Sequence, residues 1–454
     1  MNETTQLANF IAEMRYQDLS KEVVTKTKGL VLDQLGCQIA FATLPWSKNI
    51  YHYIKSKKPA GEDSTVAYYG LKTIAEDAAF ANASFGHGFE MDDTEITIPA
   101  HPGAVVVPSA LAIGEKEMIS GKQFITAIVA GYEAMLRIGM ASRTMIKRGF
   151  HATAAAGPFG SAVATCKVLG FTSEAVRDAL GIAASECSGI SEPMVSGGSV
   201  KRLHAGFASQ SGIKAAMLTK FGITGPATAL EGIKGFCLAF SDECSIGEIT
   251  KDLGKEFKIM LTGNKPYCCC AAQHAVIDCT AKIASKRLIK PEEIVEIVVE
   301  QRPREVQSVG NIFEPKDVVS AQFSARFGIA LRLTKGGNGF QDYNENNIKD
   351  PVILALIKKI KYMADDKCEK LKADGGAIVT IKFKDGSSFT EQTDFARGTR
   401  QNPMTLGELK EKFKGLTSGI IPASQTEEII KTVDMLEGLD NIRTLASLLV
   451  ARGE

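Results

Sequence analysis

Apolar residues recur at helical spacing from the start of the chain: Leu7, Phe10, Ile11 and Met14 predict one helix. A second is predicted after Ser20, a good N-cap, through Val23, Val24, Leu30, Val31, Leu35 and Ile39. Phe124–Met140, Ala152–Leu169 and Glu174–Cys187 are mostly apolar, which predicts largely buried helices, and their many Ala and Gly residues allow close packing. Nothing in 1–260 alternates with period two, so this region reads as all-α. The pattern changes after about residue 265. Residues 294–300 (Ile-Val-Glu-Ile-Val-Val-Glu) and 377–383 (Ala-Ile-Val-Thr-Ile-Lys-Phe) read as strands. Lys384-Asp385-Gly386 then predicts a hairpin turn, with 388–392 as the returning strand. Residues 265–398 therefore read as a smaller α+β domain. The last fifty residues return to helices, where Thr405-x-x-Glu408 and Ser424-x-x-Glu427 match capping boxes and Leu406, Leu409 and Phe413 share a face. Gly336-Gly337-Asn338-Gly339 reads as a mobile loop.

Composition narrows the function. With 454 residues a two-domain chain is expected, and 44% hydrophobic residues support a large core. Lys plus Arg number 53 and Asp plus Glu 52, a balance that argues against a nucleic-acid partner. No secretory leader is evident at the start, and no uninterrupted apolar run is long enough to span a membrane; the nearest, 124–140, is broken by Glu133 and Arg137. A cytoplasmic protein without a membrane partner is the expectation. Ten cysteines in such a chain read as free thiols. The adjacent Cys268, Cys269 and Cys270 lack the spacers that let several sulfurs converge on one ion, so no metal is expected. No glycine-rich phosphate cradle occurs, so no nucleotide cofactor is implied.

The candidate chemistry centres on residues 81–108. Glu90, Asp92, Asp93, Thr94 and His101 fall within twelve positions, flanked by apolar segments. Acids and bases gathered in that setting suit proton transfer away from bulk water. A solvated acidic loop with a chance histidine would read the same, and these residues alone leave both open. His151 stands where a helix opens, a position that favours a neutral imidazole, though a hydrogen-bonded structural histidine fits as well. Lys201, Arg202 and His204 follow a Ser-Gly-Gly-Ser loop and either hold a carboxylate or form a solvated basic turn. Lys265, Tyr267 and His274 open the second domain.

These stretches together resemble the MmgE/PrpD family, which includes 2-methylcitrate dehydratases, cis-aconitate decarboxylases and iminodisuccinate epimerases. Glu-Met-Asp-Asp-Thr at 90–94 and His-Pro-Gly-Ala-Val-Val-Val-Pro at 101–108 are similar to its signature, with Glu90 for the usual Asp and Met91 for the usual aromatic. Lys201, His204 and Gly206 match a Thr-Lys-x-x-His-x-Gly motif, with Val200 for Thr. Lys265, Tyr267, Cys270 and His274 match Lys-x-aromatic-Pro-x-Cys-x-x-x-His, with Cys268 for Pro. Decarboxylases in the family carry a histidine where Cys270 stands. Ala321-Gln322-Phe323-Ser324 is a weaker likeness.

The resemblance implies a mostly α fold: a large all-α helical domain built from both termini (1–264 with 399–454) and the smaller α+β domain (265–398). It implies a cofactor-independent homodimer that removes a proton beside a carboxylate of a small di- or tricarboxylate. His101 and His151 would be the catalytic pair, positioned by Asp93 and Thr94. Glu90, Asp92, Lys201, His204, Lys265, Tyr267 and His274 would bind substrate. Dehydration of a 2-methylcitrate-like hydroxy acid is the first expectation; cis-aconitate-type decarboxylation and iminodisuccinate-type epimerisation are its alternatives, and a non-catalytic helical scaffold is the alternative of another class.

Overall fold

A computed structural model describes residues 2–58, 61, 63–364, 371 and 375–452; Cys368 lies outside them. The chain divides into two compact units. One comprises Met1–Gly88, Asp92–Gly263 and Leu406–Glu454, the other Phe89–Met91 and Asn264–Thr405.

The first unit is helical. Ala152–Val168 packs against Pro102–Glu117, Gly121–Ala141 and His204–Lys220. Its residues are buried on every side except at Lys167, as a helix apolar all round must be. Gly121–Ala141 is long and apolar enough to cross a membrane, but 94% of its apolar window is buried inside the unit, which makes it a core helix. Its two charges neutralise each other: Arg137 Nε donates to Glu133 at 2.8 Å and its Nη atoms donate to the Lys251 and Glu256 carbonyls. The first two predicted helices run Glu3–Glu13 and Lys21–Ala42, and the Ser20 hydroxyl accepts the Val23 N–H at the start of the second.

The C-terminal segment closes this unit. Leu406–Thr417 lies along Lys21–Ala42, where Gly29 and Gly36 let the backbones approach; a Cβ at Gly36 would meet Phe413 Cδ2 at 2.9 Å. Lys412 pairs with Asp33 in the same contact. The Ser424 capping box does not form, because the helix runs Ala423–Asp434 behind Pro422 and holds Ser424 within its first turn. The all-α reading also needs one correction. Ser64–Thr65 and Lys72–Thr73 form an antiparallel ribbon too short to leave a period-two pattern.

The second unit is built on a mixed four-stranded sheet, ordered Ile360–Ala364, Ile294–Gln301, Ala377–Phe383, Ser388–Thr393. The predicted hairpin is present: Lys382 pairs with Ser388, and Gly386 takes φ 83° in the turn. The parallel edge strand Ile360–Ala364 has only five residues and no alternation that marks it in the sequence. His274–Lys286 packs on the hairpin strands. The glycine-rich loop is tethered rather than loose. Asn338 is buried, its Oδ1 accepts from Arg332 and its Nδ2 donates to the Gly328 carbonyl, both at 2.9 Å, while Gly339 N–H donates to Asp342. Side-chain capping by Asn338 and Asp342 supplies what the composition does not reveal.

Candidate active site

Residues 87–103 join two helix ends. Ala75–Gly86 stops with His87 as its C-cap, and Pro102–Glu117 starts with His101 as its N-cap and proline in its first turn. Between them the loop is tight. Thr94 exchanges backbone hydrogen bonds with Gly263, and Glu95 pairs with Ala100 while its carboxylate accepts the Thr97 and Ile98 N–H groups. The Asp93 carboxylate accepts the Gly103 N–H at 2.9 and 3.1 Å and the Tyr132 hydroxyl at 2.7 Å. It thereby serves a backbone donor in the first turn of Pro102–Glu117 that would otherwise lack a partner. The Asp93 carbonyl lies 2.7 Å from His101 Nδ1.

Four of the five histidines of the first unit gather here; His52 is the other. His87 Nδ1 lies 2.6 Å from Asp92 Oδ2, and His101 Nδ1 lies 3.3 Å from the same oxygen. The His87 ring stands 4.9 Å from that of His101 and 5.7 Å from that of His151. His151 and His204 meet Nδ1 to Nδ1 at 2.9 Å. His151 is the N-cap of Ala152–Val168, and His204 opens His204–Lys220. Helix ends thus bring together rings that are far apart in sequence. All four, with Asp92 and Asp93, are buried.

Burial sets the electrostatics. It holds His151 well below the ordinary imidazole range, with the His87, His101 and His204 rings adding to the effect. It lowers His204 to about 4, helped by His87 and by the nearby Lys201 ammonium. Two neutral rings, one donating and one accepting, account for the Nδ1–Nδ1 contact. Burial raises the Asp93 carboxyl to about 7, with the Asp92 and Asp33 charges adding to it and the Tyr132 hydrogen bond opposing it. Burial lowers Lys26 below the ordinary lysine value, against the opposing pull of the Asp93 and Asp33 charges.

Among the expected site residues, His101, His151, His204, Asp92, Asp93, Thr94 and Lys201 belong to the first unit. Thr94 contributes its backbone, and Lys201 sits half-buried in the 3-10 turn Val200–Leu203. Glu90, Lys265, Tyr267 and His274 belong to the second. There Lys265 Nζ donates to Glu90 at 3.1 Å. Glu90 adopts φ 54°, the left-handed region in which the family's usual Asp is more at ease. The Tyr267 hydroxyl donates to Asp278 at 2.6 Å, its ring stands edge-on to His274, and burial pushes its ionisation far up. His274 Nε2 lies 3.2 Å from the Cys269 carbonyl. Cys268 Sγ donates to the Phe89 carbonyl and Cys269 engages Tyr343, so these two neighbouring thiols serve different partners.

Sequence reading missed the roles of His87 and Tyr132. Tyr132 lies inside an apolar helix and signals nothing; His87 sits in a Phe-Gly-His-Gly step whose only cue is the helix end before it. His87, Asp92 and His101 place one nitrogen or oxygen each within 4.8 Å of one another, a set that can be compared with a metal site. The 2.6 Å His87–Asp92 contact and the 2.7 Å contact of His101 with the Asp93 carbonyl are hydrogen-bond lengths, while His101 Nδ1 stands 3.3 Å from Asp92 Oδ2. Two ligands of one tetrahedral zinc stand roughly 3.3 Å apart, from bonds of about 2.0–2.1 Å. His101–Asp92 is at that spacing, but His87–Asp92 is far shorter and His101 Nδ1 already faces the Asp93 carbonyl, so the arrangement reads as a hydrogen-bonded network.

Comparison with known proteins identifies the family. The MmgE/PrpD N-terminal domain model matches residues 5–248 and the C-terminal domain model matches residues 267–438. The chain is 26% identical over 473 residues to a cis-aconitate decarboxylase of Aspergillus terreus, covering 98% of this chain and 95% of the relative. It is 27% identical to the Homo sapiens cis-aconitate decarboxylase (98% and 94% covered) and 25% identical to the cis-aconitate decarboxylase-like protein oryM of Aspergillus oryzae (99% and 97% covered). By the match of both domain models, this chain belongs to the MmgE/PrpD family and is an enzyme of the lyase type.

Proposed function

We propose that this lyase acts on a small tricarboxylate of the cis-aconitate class and moves a proton at a carbon beside a carboxylate. The observation that carries the reading is the buried cluster of His87, His101, His151 and His204 around Asp92 and Asp93. Water-poor acid–base groups of this kind are what carbon protonation and deprotonation need.

His101 is the proton-transfer group in this account. Its Nδ1 turns back to the Asp93 carbonyl and Asp92, which fixes ring and tautomer and directs exchange through Nε2. His151, held neutral by burial and tied to His204, supplies a hydrogen bond without adding charge. Lys201 holds a substrate carboxylate. In decarboxylation the bond to the departing carboxylate breaks, its electron pair shifts through the double bond, and His101 delivers a proton at the far carbon. In the reverse sense His101 takes a carbon-bound proton. The names of the relatives favour decarboxylation as the net step. Cys270, where the family's decarboxylases carry histidine, favours a second reading, dehydration of a 2-methylcitrate-like hydroxy acid; epimerisation of an imino diacid shares the same proton step. The proposal includes a cytoplasmic homodimer working without a cofactor. The exposed apolar Phe221 and Ile233 side chains support a covered face, which light scattering tests.

Proton NMR in heavy water, with cis-aconitate and with hydroxytricarboxylates, tests the reading. Loss of carbon dioxide with one deuteron gained at carbon supports decarboxylation, and loss of a hydroxyl supports dehydration. Neither product and no deuterium exchange with any substrate defeats the reading.

A further inference from the structure

Lys201 and His204 are presented by a short 3-10 turn, Val200–Leu203, which follows the glycine pair Gly197–Gly198 at φ 90° and 101°. Such a turn has little rigidity of its own. Two contacts of the intervening Arg202 supply it. Its guanidinium carbon lies 3.8 Å above the centre of the Trp46 ring, and its Nε donates to the Gly88 carbonyl at 3.1 Å. Trp46 is the chain's one tryptophan, and it backs onto Gly88 as well: a Cβ there would meet Trp46 Nε1 at 3.3 Å. Gly88 directly follows His87, the ring bound to Asp92. Leu203, next to Arg202, packs on the buried cluster of Phe80, Phe85 and Ile54. On the other side the His204 N–H donates to the Lys201 carbonyl, so turn and helix start move together.

We propose that Arg202 is a positioning residue: stacked on Trp46 and bonded to Gly88, it locks the turn that aims Lys201 and His204 and ties that turn to the His87 segment. The part of this inference that concerns carboxylate binding by Lys201 rests on the proposed function; the locking of the turn does not. Only a planar cation with an Nε–H makes both contacts, so lysine is not an equivalent.

The experiment compares Arg202→Lys, Trp46→Ala and Trp46→Phe with the parent protein. Melting temperature, the imidazole signals of His151 and His204 in nitrogen–proton correlation spectra, and calorimetric binding of propane-1,2,3-tricarboxylate are read for each. Arg202→Lys and Trp46→Ala are expected to shift the His204 and His151 signals and to weaken binding by about tenfold, within the range of a lost cation–π contact. Trp46→Phe keeps an aromatic face and stays within about threefold. Adding Lys201→Met to Arg202→Lys is expected to cost less than the two single losses together, because Arg202 acts in part through Lys201. Unchanged histidine signals in Arg202→Lys, or in Trp46→Ala should the first fail to fold, overturn the proposal, and so do additive losses in the double variant. A parent protein that ignores the tricarboxylate sinks the functional reading instead, and the histidine signals then decide the positioning claim alone.

Discussion

His151 and His204 face each other Nδ1 to Nδ1 at 2.9 Å, a contact in which one ring must accept and which two protonated rings cannot make. This couples folding to pH. Burial depresses both rings, His204 to about 4. Between the ordinary histidine value of about 6.5 and pH 4 the unfolded chain therefore binds more protons than the folded one. Stability contributed by the pair is complete above pH 6.5 and is lost as pH falls through that window. Asp93, raised to about 7, acts in the opposite sense, so His204 is isolated by difference. His204→Asn keeps a hydrogen-bonding atom at the Nδ1 position but does not titrate. Urea melts at several pH values should show the parent protein losing stability relative to His204→Asn between pH 6.5 and 4; a constant gap would show that His204 does not titrate with folding.

Asp93 separates capping from charge. Asp93→Asn keeps an oxygen acceptor for Gly103 and Tyr132 and should fold with little loss. Asp93→Ala leaves both donors buried without that acceptor and should cost about 1–3 kcal/mol. Equal losses in the two variants, by chemical denaturation, would remove Asp93 from the role of cap.

Packing of the C-terminal helix can be tested at two glycines. A Cβ at Gly29 would meet only the terminal Leu409 Cδ1 at 2.9 Å, whereas at Gly36 it would meet the buried Phe413 ring at 2.9 Å and Leu416 at 3.2 Å. Gly36→Ala should lose stability, overpacking of about 1–3 kcal/mol exceeding the ~1 kcal/mol helix-propensity gain. Gly29→Ala should stay near neutral because a leucine methyl can move aside. Melting temperatures in the reverse order would contradict this packing.

Much of the fold is written in the sequence because helix and strand periods are local. The runs at 7–14, 124–140 and 377–383, and the Asp385-Gly386 turn, each declare themselves. The short pieces do not: five residues at 360–364 and the tripeptide Phe89–Met91 take their places through partners distant in sequence. The site is legible in the same uneven way. Asp92, Asp93 and His101 stand together in the chain, while Tyr132 reaches Asp93 across 39 positions and His204 reaches His151 across 53. Those meetings are products of helix packing, which leaves no local pattern. The glycine-rich stretch at 336–339 misleads because composition signals freedom while Asn338 is bonded at both ends.

The hydrogen-bond contacts of His87 with Asp92 and of His101 with the Asp93 carbonyl predict insensitivity to metal removal. Elemental analysis after dialysis against a chelator should find no stoichiometric ion, and activity should persist. Activity lost on chelation and restored by zinc would turn the hydrogen-bonded cluster into a metal site.

The most direct measurement is turnover of His101→Gln beside its melting temperature. Glutamine keeps a hydrogen-bonding side chain against Asp93 and Asp92 but carries no exchangeable acid–base proton. The account predicts a folded protein whose turnover falls about 10²–10⁴-fold, with tricarboxylate binding nearly unchanged. Lys201→Met, in contrast, should weaken binding by about 1.5–3 kcal/mol. A well-folded His101→Gln protein with parental turnover would contradict the assignment of the proton-transfer step to this cluster.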